Sequence, residues 1–194
     1  MSSIPIFADE QWRLPSRGKV AMLSLIIGEC GIFSIFVAAY IYYMGRSLSG
    51  PTPRILEIPI FATVCLLSSS GTILLAERAI EHGRMRIFGL WWALTIVLGL
   101  IFIGYTASEW RDLIFHQGLT IRTNLFGTTF YSLVGLHASH VIVGLIGLSI
   151  VMIFTLTGHL NRSHAERIQV FAMYWHFVDA VWVVVFTTVY LVGR

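Results

Sequence analysis

The amino-acid sequence predicts an all-α integral membrane bundle of five transmembrane helices, on three observations. The first is composition: of 194 residues, 56% are hydrophobic and 12% charged, with a mean hydropathy of +0.78. That leaves too little polar surface to wrap a water-soluble globule of this size. The second is that five apolar runs each approach or exceed the roughly 20 residues a helix needs to cross the hydrocarbon core. The third is where the basic residues fall. Of 13, 12 are arginine, and most lie between the runs, which is a topology signal before it is a nucleic-acid signal.

The runs are Lys19–Met44, Pro59–Glu77, Ile87–Ser108, Phe126–Thr157 and Ile168–Val192. The stretch before the first, MSSIPIFADEQWRLPSRGK, lacks a basic leader feeding a short apolar segment and a cleavage site. No removable signal peptide is expected, and the first helix would itself direct insertion. The first connection, GRSLSGPTPRILEIP, is rich in Gly, Ser and Pro and reads as a loop whose Pro59 opens the second helix. The next, ERAIEHGRMR, is short, so the second and third helices should form an antiparallel hairpin. EWRDLIFHQGLTIRTN is long enough to drape over one face of the bundle. No repeat, low-complexity tract or soluble segment interrupts the pattern, and residues 1–194 read as a single membrane domain. Eight Lys and Arg lie on the side of the N-terminus and the second and fourth loops, against five on the other. The positive-inside rule then puts the N-terminus in the cytoplasm and the C-terminus outside.

Charge within the oil needs a reason, because it costs roughly 2.5–3.5 kcal/mol at the helix centre even on an insertion scale. Glu29 lies about ten residues, roughly 15 Å, into the first helix at the α-helical rise. His137 and His140 share one face of the fourth helix, and His176 and Asp179 repeat the same one-turn spacing in the fifth. All five groups fall near mid-depth. Two readings stand for the histidines and Asp179: helix-to-helix hydrogen bonding, with His176 and Asp179 satisfying one another and clasping the fifth helix to the fourth and its neighbours, or a proton relay, metal or haem site. A di-haem anchor would need histidine pairs at two depths, and no second layer is present. Glu29, flanked by Gly28 and Gly31, is a buried protonatable carboxyl open to a neighbouring helix or lipid; the cost of charge there favours the neutral acid. It reads equally as a proton-handling group or as helix glue.

Other features point to packing. Ser68, Ser69, Ser70 and Gly71 in the second helix, and Gly135, Gly144 and Gly147 in the fourth, form small-residue faces that admit close helix approach. Trp12, Trp91, Trp92 and Trp110 are expected in the interfacial aromatic belt. Cys30 and Cys65 lack metal-ligand or redox spacing and are expected as buried, inert thiols. There is no phosphate-binding loop, nucleophile motif or HExxH, so no catalytic residue and no metal ligand is assigned. A proton-coupled transporter built on Glu29 would lack the repeats and broken helices usual in such folds.

The residues ASEW (Ala107–Trp110), FGTTFYSLVGLHASHVIVG (Phe126–Gly144) and YWHFVDAVWVVVFTTVYLVG (Tyr174–Gly193) resemble subunit III of the haem–copper respiratory oxidases. Glu29 matches a membrane-buried, carbodiimide-reactive glutamate of that family. The likeness runs from about residue 18 to residue 194, and the length is similar to the short five-helix bacterial form. The resemblance implies an accessory subunit of a proton-pumping terminal oxidase that reduces oxygen to water, with haems and copper in partner subunits and none in this chain. Implied partners are the catalytic subunit I, subunit II, in some complexes a small fourth subunit, and phospholipid; the implied location is the bacterial cytoplasmic membrane. It further implies that the chain stabilises subunit I, holds lipid and sustains proton uptake. Glu109, Trp175, His137, His140, His176 and Asp179 become structural or lipid-contact positions. Cytochrome c oxidase is the first expectation, with quinol oxidase or the homologue associated with nitric oxide reductase as alternatives. The family's seven-helix members carry paired histidines at the cytoplasmic end of the second of these helices; here stands AERAIEHG (Ala76–Gly83), with His82 as a partial replacement.

Overall fold

The computed structural model describes residues 16–47 and 50–192; Trp12 lies outside them. Five long helices are present: α1 (Arg17–Tyr43), α2 (Ile60–Glu81), α3 (Met85–Phe115), α4 (Leu125–Leu156) and α5 (Ala165–Phe186). A π-helical turn, Thr187–Val192, continues α5, and single 3-10 turns stand at Pro53–Ile55 and Arg162–His164. Five helical spans are long and apolar enough to cross a membrane, and no strand occurs among the described residues. The expected fold class is therefore the observed one.

Two helices run further than hydropathy indicates. Beyond Glu77, α2 continues to Glu81 because Ala79 and Ile80 extend its buried stripe, and beyond Ser108, α3 continues to Phe115 with Leu113 buried. A charge ends an apolar run, but a helix ends where its backbone is capped. At the α2 terminus Gly83, at φ +71°, lets its own N–H reach the Ile80 carbonyl and that of Arg84 reach Ala79, both at 2.9 Å. Gly158 does the same for α4, with His159 bonding back to Phe154. Both are the left-handed caps that glycine adopts most readily. The α4 start is capped by Asn124, whose side-chain oxygen accepts from the Gly127 N–H at 2.8 Å.

The helices α2, α3, α4 and α5 close a ring, each packing on its chain neighbour and α5 returning onto α2, while α1 packs against α4 and α5 from outside. Large apolar side chains dominate the outer surface, Ile27 and Ile35 on α1 being 69% exposed, as lipid tails require. Inside the ring the indole of Trp175 is fully buried and touches every member. Its Nε1 donates to Ser69 Oγ of α2 at 2.8 Å. Its ring fills the space where side chains on Gly99 of α3 and Gly144 of α4 would stand: a Cβ at either would lie 2.9 Å from the indole.

The small-residue faces are therefore only partly as expected. Gly144 and Gly147 meet Trp175 and Phe171 of α5, and Gly135 meets Trp110, but nothing lies within 4 Å of a Cβ at Gly71, Gly28 or Gly31. These three face outward. Trp92 is a second correction. It is buried, not interfacial, and donates to the Leu148 carbonyl at 2.9 Å across the ring, since an indole N–H finds a partner inside more readily than lipid could offer one. Cys65 is buried as expected, but Cys30 is exposed on α1.

Replacing Gly99 or Gly144 with Ala is expected to lower thermal stability of the purified protein by about 1–3 kcal/mol through overpacking. Gly71→Ala, with open space around it, is expected to be neutral or slightly stabilising through helix propensity. Thermal unfolding of the three variants in one detergent makes the comparison.

Candidate functional site

Five of the ionisable side chains of the spans, Glu29, His140, Glu77, His176 and Asp179, sort into two groups. The first joins α1 to α4. His140 Nε2 lies 3.1 Å from Glu29 Oε2, and Nδ1 lies 2.8 Å from the Leu136 carbonyl one turn back. A carbonyl can only accept, so Nδ1 carries a proton. The short contact on the other nitrogen then requires one more proton between imidazole and carboxyl, held as neutral acid and base or as an ion pair. Phe33 packs against the imidazole at 5.0 Å, and the Tyr174 hydroxyl donates to the His140 carbonyl at 3.2 Å. The side chains remain 15% and 24% exposed, His140 and Glu29 respectively, so the pair sits at the bundle surface beneath α1.

The second group joins α5 to α2. The Ser70 hydroxyl donates to Asp179 Oδ2, and His176 Nδ1 lies 3.1 Å from the same hydroxyl oxygen. On the far side of the imidazole, Nε2 faces Glu77 Oε2 at 3.9 Å. Asp179 is 3% exposed. The expected clasp thus exists with a different geometry. His176 and Asp179 meet through Ser70, and among the neighbours of α5 the helix they hold is α2, because the face of α5 that carries them is the one returning onto α2. Although serine, histidine and an acid come together, the order is not that of an activated nucleophile. The hydroxyl sits between imidazole and carboxyl and gives its proton to the acid, whereas a nucleophilic serine gives its proton to histidine.

His137, one turn from His140, belongs to neither group. It is fully buried, stacked on Trp182 at 5.0 Å and meeting Phe102 edge-on at 5.8 Å. Neither ring nitrogen has a hydrogen-bond partner. The shared face read from the spacing divides, because Trp182 occupies the ring interior beside His137 while His140 looks out to α1. Glu109 lies in the lower half of α3 and accepts from the Tyr190 hydroxyl at 3.1 Å; with Glu57 and Asp112 it lines a cavity of about 310 Å³. Trp175 is the ring-filling residue described above.

Among the described residues, no cluster of three or more His, Cys, Asp or Glu side chains could hold a metal ion. Two participants were not anticipated. Glu77 had been read as the end of a span, and Ser70 as a small packing residue. The signal for both was helical spacing: Ser70 and Glu77 are seven apart, two turns on one face of α2.

The model of a protein family described as cytochrome c oxidase subunit III matches residues 22–194. The chain is 35% identical to cytochrome c oxidase subunit 3 of Bacillus sp. (strain PS3), over 98% of this chain and 94% of that protein. It is 34% identical to cytochrome c oxidase subunit 3 of Alkalihalophilus pseudofirmus, over 86% and 82%. With a probable quinol oxidase subunit 3 of Staphylococcus saprophyticus it shares 27% identity over 95% and 94%.

Because one proton is common to Glu29 and His140, their replacements should not add. Glu29→Leu and His140→Leu are each expected to destabilise the protein, and the double variant to differ from their sum by about 0.5–3 kcal/mol. Additive losses in thermal unfolding would show that the two side chains do not act on one another.

Proposed function

The chain belongs to the cytochrome c oxidase subunit III family, accessory subunits of haem–copper terminal oxidases, and we propose that it serves a cytochrome c oxidase of a bacterial cytoplasmic membrane without a redox centre of its own. The higher identities to relatives named cytochrome c oxidase, 34–35% against 27% for the quinol oxidase relative, support the choice of electron donor. The observation that carries the accessory reading is how the mid-depth histidines are used. His137 is packed flat on Trp182, His140 is engaged with Glu29, and His176 with Ser70. An axial haem ligand must instead present a ring nitrogen to open space where an iron can sit, whereas the unbonded nitrogens of His137 are buried among Trp182 and Phe102 and His176 Nε2 faces Glu77. In this reading haems and copper reside in subunit I and subunit II. The N-terminus is cytoplasmic, from the excess of basic residues on its side.

Phospholipid binding has a physical candidate at the α2–α3 turn. A cavity of about 260 Å³ is lined by Arg78, His82 and Arg84 over Leu75, Ala79, Ile87 and Trp91. The acids of the same turn are drawn elsewhere: Glu81 accepts from Gln169 at 2.9 Å and Glu77 faces His176. A cationic rim above an apolar floor fits an anionic headgroup with its acyl chain, and on the proposed topology it opens to the leaflet that holds such lipids. Glu29 and His140 then hold α1 to the ring and keep a proton within the bilayer, consistent with a part in sustaining proton uptake.

Affinity purification from the native membrane is expected to recover the chain with a haem-containing subunit I and a subunit II bearing a copper site, and the separated chain should show no Soret absorption. Recovery of a stable, haem-free oligomer of this chain alone would refute the assignment. Joint replacement of Arg78 and Arg84 by Gln should reduce co-purifying anionic phospholipid in native mass spectra and leave zwitterionic lipid unchanged; equal retention would place the lipid elsewhere.

A further inference from the structure

The hydrogen bonds between α2 and α5 define a proton inventory. Ser70 has one hydroxyl proton, and it points to Asp179 Oδ2. With the hydroxyl so oriented, His176 Nδ1, 3.1 Å from the same oxygen, is the donor of that contact and carries a proton. That leaves Nε2 facing the Glu77 carboxyl at 3.9 Å. A bare nitrogen lone pair there would oppose carboxylate oxygens, whereas an N–H would be attracted to them. Both Nε2 and Asp179 Oδ1 are buried without a hydrogen-bond partner, so each end of the string retains bonding capacity that the side chains around it do not use.

We propose that Glu77, His176, Ser70 and Asp179 form a buried proton-holding site, in which one proton is shared between the imidazole and the Asp179 carboxyl through the Ser70 hydroxyl. Two arrangements contain the same number of protons. In one, His176 is an imidazolium with Nε2–H toward Glu77 and Nδ1–H toward Ser70, and Asp179 is a carboxylate. In the other, the Nδ1–H bond has broken as a new Ser70 O–H formed, and the original Ser70 proton has passed to Asp179. Asp179 then donates to Ser70, Ser70 donates to Nδ1, and the imidazole is neutral. No atom moves except the two protons, and the net charge of the four groups is unchanged. The distances already in place serve both arrangements.

Position favours exchange with the membrane surface. Glu77 stands one turn from the α2 terminus, where Arg78, Glu81 and His82 begin the polar turn, and the His176 side chain keeps 32% of its surface exposed against 3% for residue Asp179. The string thus runs from a carboxyl that is 18% exposed, at Glu77, past a partly exposed imidazole to a buried carboxyl. The charged group facing His176 from α2 is Glu77, while Glu29 of α1 and His140 of α4 engage one another. This inference concerns the chain's own residues and holds for either electron donor.

Infrared difference spectroscopy across a pH titration of the membrane-purified protein, with whatever subunits accompany it, tests the site. Wild type should lose a deuterium-sensitive carboxylic acid band and imidazolium bands together, at one midpoint. Asp179→Asn should abolish the carboxyl component, and Ser70→Ala should separate the carboxyl and imidazole signals, with Ser70→Thr restoring the common midpoint. Should Ser70→Ala fail to accumulate, Glu77→Gln provides the reading, because it must move both signals together. An Asp179→Asn spectrum identical to wild type, a Ser70→Ala protein whose signals stay coincident, or a Glu77→Gln protein in which only one signal moves would each overturn the proposal.

Discussion

The indole of Trp175 is the contact on which the rest of the bundle depends. Lipid tails are as apolar as leucine, so burial of greasy surface does not by itself drive helices together in a bilayer; close packing and hydrogen bonds must do so. One side chain supplies both here. Its ring lies where Gly99 and Gly144 leave no side chain, bringing α3 and α4 close, and its N–H fixes the remaining wall through Ser69. Removing either glycine or the serine would disturb the other contacts, since all three position the same rigid group.

Around that contact the bilayer dictates how polar groups are used. With no water available, a donor or acceptor inside the spans is favoured to find a partner within the protein. The two polar groups obey this by joining helices distant in sequence: Glu29 to His140 across α1 and α4, Ser70 to His176 and Asp179 across α2 and α5. Trp182 adds a bond to Thr63, and Gln169 one to Glu81, so the α2–α5 seam is tied along most of its length. Stability and proton retention are therefore not alternatives. A hydrogen bond between two basic sites in oil needs a proton, and the side chains that glue the helices are for that reason also groups that hold one.

Much of this was legible in the sequence because the bilayer imposes length and hydropathy on each span. The number of helices, the short α2–α3 connection and the mid-depth position of Glu29, His140, His176 and Asp179 all follow from those rules. Partner choice did not. The spacing of His176 and Asp179 showed that they share a face, but which helix that face meets is set by the ring order α2–α3–α4–α5, a property of tertiary packing. Ser70 looked like a packing residue because serine is small, and its hydroxyl matters only once an acid from another helix stands opposite. His137 and His140 have near-identical local context and part company because Trp182 fills one side of α4 and α1 covers the other. The α2 and α3 ends were misjudged for a related reason: Arg and Glu lower hydropathy without breaking a helix, and the backbone caps lie further on, at Gly83 for α2 and His116 for α3.

The outer position of α1 has a consequence for how the chain is made. Synthesis runs from the N- to the C-terminus, so α1 enters the membrane before α4 and α5, the helices it packs against. Until then Glu29 has no His140, and α1, almost wholly exposed even in the finished fold, has no neighbour to hold it. The helix must therefore stay in the lipid as an independent span until α4 and α5 have emerged.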